Sequence, residues 1–274
     1  VLLISIIPTT WKAASEWDNA VTIYGAALEN DEDLRSETSG LLEAEDNDET
    51  GYVYSEDVDN YLGMLYDNSV LKSSIRIIQR DPGYGLNITL NESMGEITKI
   101  TEETYQNALL TSGITDADVT IAAAEDVTGE SALSGIYKAY EVQVEEIPEE
   151  RTQNAQEELE AITDISEENS NVEGFSQVQL NKMITEIKIE IVNNYGGEVT
   201  EEDVRNIVDE KMQENGLQDI LSQDQIDRII VIIMNIQESG LFSGEEADRL
   251  IESSRNLVDQ ITSSDAFSDA QDKA

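Results

Sequence analysis

Neither cysteine nor histidine occurs in the 274 residues. Their absence removes disulfides, thiolate nucleophiles, zinc sites of the usual Cys/His type, Ser-His-Asp triads and imidazole bases together. Positive charge is scarce as well: 16 Lys and Arg stand against 59 Asp and Glu, a net charge of −43. Such a chain repels phosphate backbones and anionic lipid headgroups, so nucleic acid and anionic membrane surfaces are excluded as partners. Proline is rare and aromatics make up 5% of the chain, yet a hydrophobic content of 39% is enough for packed cores. Beyond the first residues no apolar run approaches the ~20 residues that a membrane span requires.

What is present begins with an apolar run, Val1 to Ile7, followed by Pro8 and small residues at Ala13, Ala14 and Ser15. This pattern is expected to be the remnant of a signal peptide over residues 1–15. Self-repulsion at −43 favours a setting where salt or divalent cations screen the charge. Both features point to a secreted or extracellular, cell-wall-associated location.

Periodicity divides the remainder into two regions, expected as domains over 16–147 and 148–262. In the first, Val21 to Tyr24 reads as a strand, Asp31 to Leu42 as a helix with acidic or amide N-caps, and Glu43 to Thr50 as an acidic loop. Ser74 to Gln79 and Leu86 to Leu90 are β-rich runs flanking Asp81-Pro82-Gly83-Tyr84-Gly85, which predicts a β-hairpin. Thr101 caps a helix that Gly113 ends, Asp118 to Ala122 returns as a strand, and Thr128 to Tyr140 is helical.

Charge and a proline at Glu145-Glu146-Ile147-Pro148 break that rhythm, and helical patterns follow to Ile261. Thr200-Glu201-Glu202-Asp203 is a capping box. Asp224 to Glu238 is apolar nearly all round, as expected of a helix buried at the centre of a bundle. Residues 263–274 read as a disordered acidic tail. The fold class is therefore α+β: a mixed α/β domain with a β-hairpin, then an all-α bundle.

Two segments carry candidate chemistry. Asp46, Asp48 and Thr50 occupy positions 1, 3 and 5 of an EF-hand-like loop, with Gly51 at 6, the Tyr52 carbonyl at 7 and Asp57 at 12. That spacing makes calcium the candidate ion, although Thr50 is a weak ligand and Asp replaces Glu at the last position. The strand-to-helix turn at Thr128, Gly129 and Ser131 offers free amides to an anion or ligand, without the lysine of a P-loop. No catalytic residue or organic cofactor is specified by any motif.

The stretch from Ile97 to Ile114, continuing through Asp116 to Val119 and from Thr128 to Glu141, resembles the YpuA-like secreted proteins of Gram-positive bacteria, a domain-of-unknown-function family. The Val21 to Ala27 segment, the Gly83-Tyr84-Gly85-Leu86 turn and the acidic helical second half are similar too. The resemblance implies export and the same two-part architecture, and it implies no activity. The expected role is non-catalytic binding or structure in the envelope or outside the cell, with a cell-wall polymer, a protein partner or divalent cations as binding partners. Two alternatives are a cell-wall hydrolase built on paired carboxylates and a calcium-responsive protein that oligomerises or docks through its isoleucine-rich helix.

Overall fold

The computed structural model describes residues 19–143 and 147–273. The signal-like segment at 1–15 and the glutamates at the expected domain boundary lie outside them. Chain order runs β1 (Val21–Gly25), α1 (Glu32–Leu41), β2 (Glu49–Val53), α2 (Ser55–Leu62), β3 (Ser74–Gln79), β4 (Leu86–Asn91), α3 (Glu102–Ser112), β5 (Ala117–Ala122) and α4 (Glu130–Gln143). Six helices follow: α5 (Glu149–Asn169), α6 (Gln177–Tyr195), α7 (Glu201–Glu214), α8 (Gln223–Glu238), α9 (Gly244–Thr262) and α10 (Asp265–Lys273). The architecture is α+β, a mixed sheet with helices followed by a helical region.

Local chemistry accounts for most boundaries. The Asp31 carboxylate accepts the Leu34 N–H at 3.0 Å and starts α1, while Thr101 caps α3 through the Thr104 N–H. Gly113 ends α3 and Gly196 ends α6, both in the left-handed conformation that costs glycine little. Capping boxes open α7 at Thr200 and α8 at Ser222.

The five strands form one sheet in the order β2-β1-β3-β5-β4. β1 runs parallel to β2 and antiparallel to β3; β5 runs antiparallel to β3 and parallel to β4. The expected hairpin is therefore opened. β3 and β4 are both present and joined by the Pro-Gly turn, but β5 lies between them. The reason is tertiary: the Asp116 carboxylate at the start of β5 accepts the Gly83 and Gly85 N–H groups at 2.9 and 3.0 Å. Those bonds hold the turn across the end of β5 and leave its alternating apolar residues as the filling of the sheet.

Alternation along β1 sends Val21 and Ile23 to one face and Tyr24 to the other. The Tyr24 side packs with Leu28, Leu41, Leu42 and Ala122 in a small cluster under α1. The opposite face meets α4 and feeds the main core, which continues through Leu159 and Ile187 to Phe267. Apart from the small cluster under α1, the sheet region and the helical region thus bury their apolar residues in one shared cluster. The expected burial of α8 at the centre of the bundle is not met: it hides Ile226, Ile229, Ile230, Ile232, Ile233 and Ile236 against α5 and α7 and leaves Val231 on a solvent face, while α6 meets α3, α5, α7, α9 and α10.

The expected disorder at 263–274 does not hold over α10. Ser264 Oγ accepts the Phe267 N–H at 3.1 Å and opens that helix, and Phe267 and Ala270 are buried. Two apolar residues three apart suffice to dock one face of a short polar helix on α6 and α9.

Candidate functional site

The calcium-loop candidates are distributed over three elements. Asp46 is exposed in the turn before β2, Thr50 and Tyr52 belong to β2 itself, and Asp57 lies in the first turn of α2. The Asp48 carboxylate is occupied from within: Arg76 Nε donates at 2.7 Å, Arg76 Nη2 at 3.2 Å, the Thr22 hydroxyl at 2.9 Å and the Glu45 N–H at 3.1 Å. Burial pushes the Asp48 pKa up, but the Arg76, Glu45 and Thr22 hydrogen bonds outweigh it and hold the carboxyl below its usual value. Asp57 accepts the Tyr54 N–H at 2.7 Å and pairs with Lys138 at 2.6 Å. Among the described residues no group of three or more acidic side chains is placed to hold a metal ion.

At the other candidate, Thr128 turns its hydroxyl to the Glu130 carboxylate. The Gly129 carbonyl accepts the buried Tyr105 hydroxyl at 2.6 Å, and Ser131 Oγ meets Ser73 Oγ. Gly129 has φ +106°, and a Cβ there would lie 2.5 Å from the Tyr105 oxygen. The turn accordingly serves as the seat of the Tyr105 side chain, with a carboxylate at its mouth.

The densest polar chemistry lies elsewhere, between α3, α5 and α6. Lys188 is fully buried and pairs with the equally buried Glu158 at 2.5 Å. Its ammonium also donates to Thr111 Oγ1 at 2.8 Å and to the Asn107 carbonyl at 3.2 Å, while Thr111 donates to Glu158. The Asn107 amide donates to Asn181 Oδ1 at 2.9 Å, and Asn181 donates onward to Thr104 Oγ1 at 3.0 Å. Burial pulls the Lys188 pKa below its normal value, against the opposing pull of the Glu158 charge and hydrogen bond. Sequence reasoning passed over this cluster because Asn107, Thr111 and Lys188 resemble ordinary helix-surface residues. The visible signal was spacing: Lys188 follows Ile184 by four and shares its face with Ile191.

Among the described residues, two of the clefts on the helical region stand out. One is lined by Glu186, Ile189 and Glu190 of α6, Lys211 of α7, and Arg255, Val258 and Asp259 of α9. Lys211 there lies 4.0 Å from Glu190 and 2.8 Å from Glu214, so cations stand among the carboxylates. The other has a volume of about 310 Å³ and is lined by Gln179 of α6, Glu214, Asn215 and Gly216 at the end of α7, and Phe267 and Gln271 of α10.

Comparison with known proteins adds the following. Residues 24–252 match a family model described as "Protein of unknown function (DUF1002)". The chain is 28% identical over 257 residues to the "Uncharacterized protein YpuA" of Bacillus subtilis (strain 168), covering 91% of this chain and 82% of that protein. No solved structure matches.

Proposed function

The chain belongs to the DUF1002 family, proteins of unknown function, and from that premise we propose that it is an exported acidic protein of the cell envelope or extracellular space with a non-catalytic binding or structural role. The observation that carries this reading is the charge of −43 in a chain devoid of cysteine and histidine. A charge of that size keeps the protein soluble and disperses it from anionic surfaces, and it is tolerated best where cations are plentiful. The apolar run at Val1 to Ile7 with small residues at 13–15 agrees with export. The candidate partners are a cell-wall polymer, a protein, or divalent cations taken up by the acidic surface.

Fractionation of cells producing the protein tests the location directly: it is expected in the wall fraction or the medium, and retention in the cytoplasm with residues 1–15 attached overturns the reading. Melting in calcium or magnesium, set against sodium at equal ionic strength, tests the cation component. A rise in Tm beyond the sodium control supports specific uptake, and coincident curves remove it.

A further inference from the structure

A buried amine, a carboxamide and a carboxyl group meet in the network between α3, α5 and α6. Lys188 Nζ stands 3.3 Å from Asn107 Oδ1 and 2.5 Å from Glu158 Oε1, and all three residues are at most 1% exposed. The carbonyl carbon of a carboxamide lies about 1.23 Å from its oxygen, so the electrophilic Cγ of Asn107 is one bond beyond the atom that Nζ already touches.

An ammonium group is no nucleophile, and two features here favour the free amine. Burial pulls the Lys188 pKa below its normal value. Glu158 is placed to take the proton, which leaves two neutral groups in a dry site instead of two charges whose desolvation is expensive. The carboxamide is prepared as well. The Thr185 hydroxyl donates to Asn107 Oδ1 at 3.0 Å, where negative charge gathers when the carbonyl is attacked. Asn107 Nδ2 donates to Asn181 Oδ1 at 2.9 Å, which fixes the plane of the amide. Packing thus holds amine and carbonyl together for an intramolecular reaction with water excluded.

We propose that Lys188 and Asn107 become joined by an isopeptide bond that forms spontaneously in the folded chain, with Glu158 as the acid–base catalyst. Glu158 removes one proton from Nζ, the free amine attacks Cγ, and the Nζ–Cγ bond forms as the carbonyl electron pair moves to Oδ1. A second Nζ proton passes to Nδ2, the Cγ–Nδ2 bond breaks with its electron pair, and ammonia leaves. Glu158 remains as the carboxylic acid, and the step is redox-neutral with no co-reactant. The bond spans 81 positions and ties α3, which packs on β4, to α6. In a chain without cysteine it supplies the covalent tie that a disulfide gives elsewhere. The ion pair is the state of the newly folded chain and the amide that of the matured one, so unfolding comparisons of the pair require chain taken before the bond forms. The inference goes beyond the envelope reading and does not depend on it.

Mass spectrometry of the full chain tests the bond. After folding and prolonged incubation the intact mass is expected one ammonia below that of the sequence. Trypsin should no longer cut after Lys188, and peptide mapping should find the Lys188 segment joined to the Asn107 segment. Chain kept in urea from the start should retain the full mass. Glu158→Gln preserves size and polarity but cannot accept the proton, and it should slow linkage at least about a hundredfold. Asn107→Ala should abolish it. Circular dichroism establishes that each variant is folded, and the parent mass decides even where a variant is not. An unchanged parent mass overturns the proposal, as does ammonia loss mapped to another pair. Loss of one water makes Glu158 the acceptor and overturns the assignment to Asn107, and linkage of Glu158→Gln at the parental rate overturns the role of Glu158.

Discussion

The sheet region and the helical region each bury an ion pair, and they do so on opposite terms. Asp48 and Arg76 meet at the sheet, with side chains 1% and 12% exposed, and the carboxylate is fully supplied by Arg76, Thr22 and the Glu45 N–H. Glu158 and Lys188 are 1% and 0% exposed between helices, where the ammonium depends on a single anion and a few neutral oxygens. In the first pair the favourable bonds win, and the Asp48 pKa falls; in the second, burial wins and the Lys188 pKa falls too, toward the uncharged form. A planar guanidinium at a partly wet site stabilises by geometry, whereas a point charge in a dry site is tolerated for the arrangement it enforces.

The largest test of that contrast is Lys188→Met. It strands the Glu158 charge in the core and should cost ~3–5 kcal/mol in denaturant unfolding, while the double change Glu158→Leu with Lys188→Met should return to parental stability or exceed it. A single change that costs less than loss of Asp48 breaks the comparison. Asp48→Asn should cost ~1.5–3 kcal/mol, the range for hydrogen bonds to charged groups. Because the folded pKa of Asp48 is depressed, its contribution is present above the unfolded carboxyl value of about 3.9 and is lost as pH falls through the lower folded value. The Tm gap between parent and Asp48→Asn should therefore hold at neutral pH and close in acid.

Smaller effects sharpen the helical side. Phe267→Ala should cost about 2 kcal/mol, below the ~3–5 kcal/mol of a fully enclosed Phe, since α10 is held at the periphery. Hydrogen exchange should then rise across Asp265–Lys273 and stay unchanged in α8. Thr200→Ala removes the α7 cap and should cost about 1 kcal/mol.

The pattern of what the residues disclosed follows the range of the forces involved. Caps at Asp31, Thr101 and Thr200 and the stop at Gly113 act within one turn, and they were legible. β3 and β4 were legible as strands, but their separation by β5 is set by Asp116, more than thirty residues from Gly83, and a local turn signal carries no information about it. α10 escaped notice because its docking depends on a surface made by α6 and α9, which no short window contains. At the candidate site Asp48 was singled out for its carboxylate, while its true partner Arg76 lies on β3, 28 residues on. Gln179 carried no motif at all; only the surrounding structure shows that its Oε1 is buried without a partner.

The insertion of β5 between β3 and β4 has a kinetic consequence. As the chain leaves the ribosome, two isoleucine-bearing strands emerge, 74–79 and 86–91, whose shared neighbour is synthesised only at 117–122. Nucleation cannot therefore proceed by zipping up a local hairpin, and the sheet must wait for a distant loop to close, which slows folding. A nascent molecule from which β3 and β4 have emerged but β5 has not presents unsatisfied strand edges to whatever it meets, so chaperone capture should peak in that interval and drop once β5 has emerged.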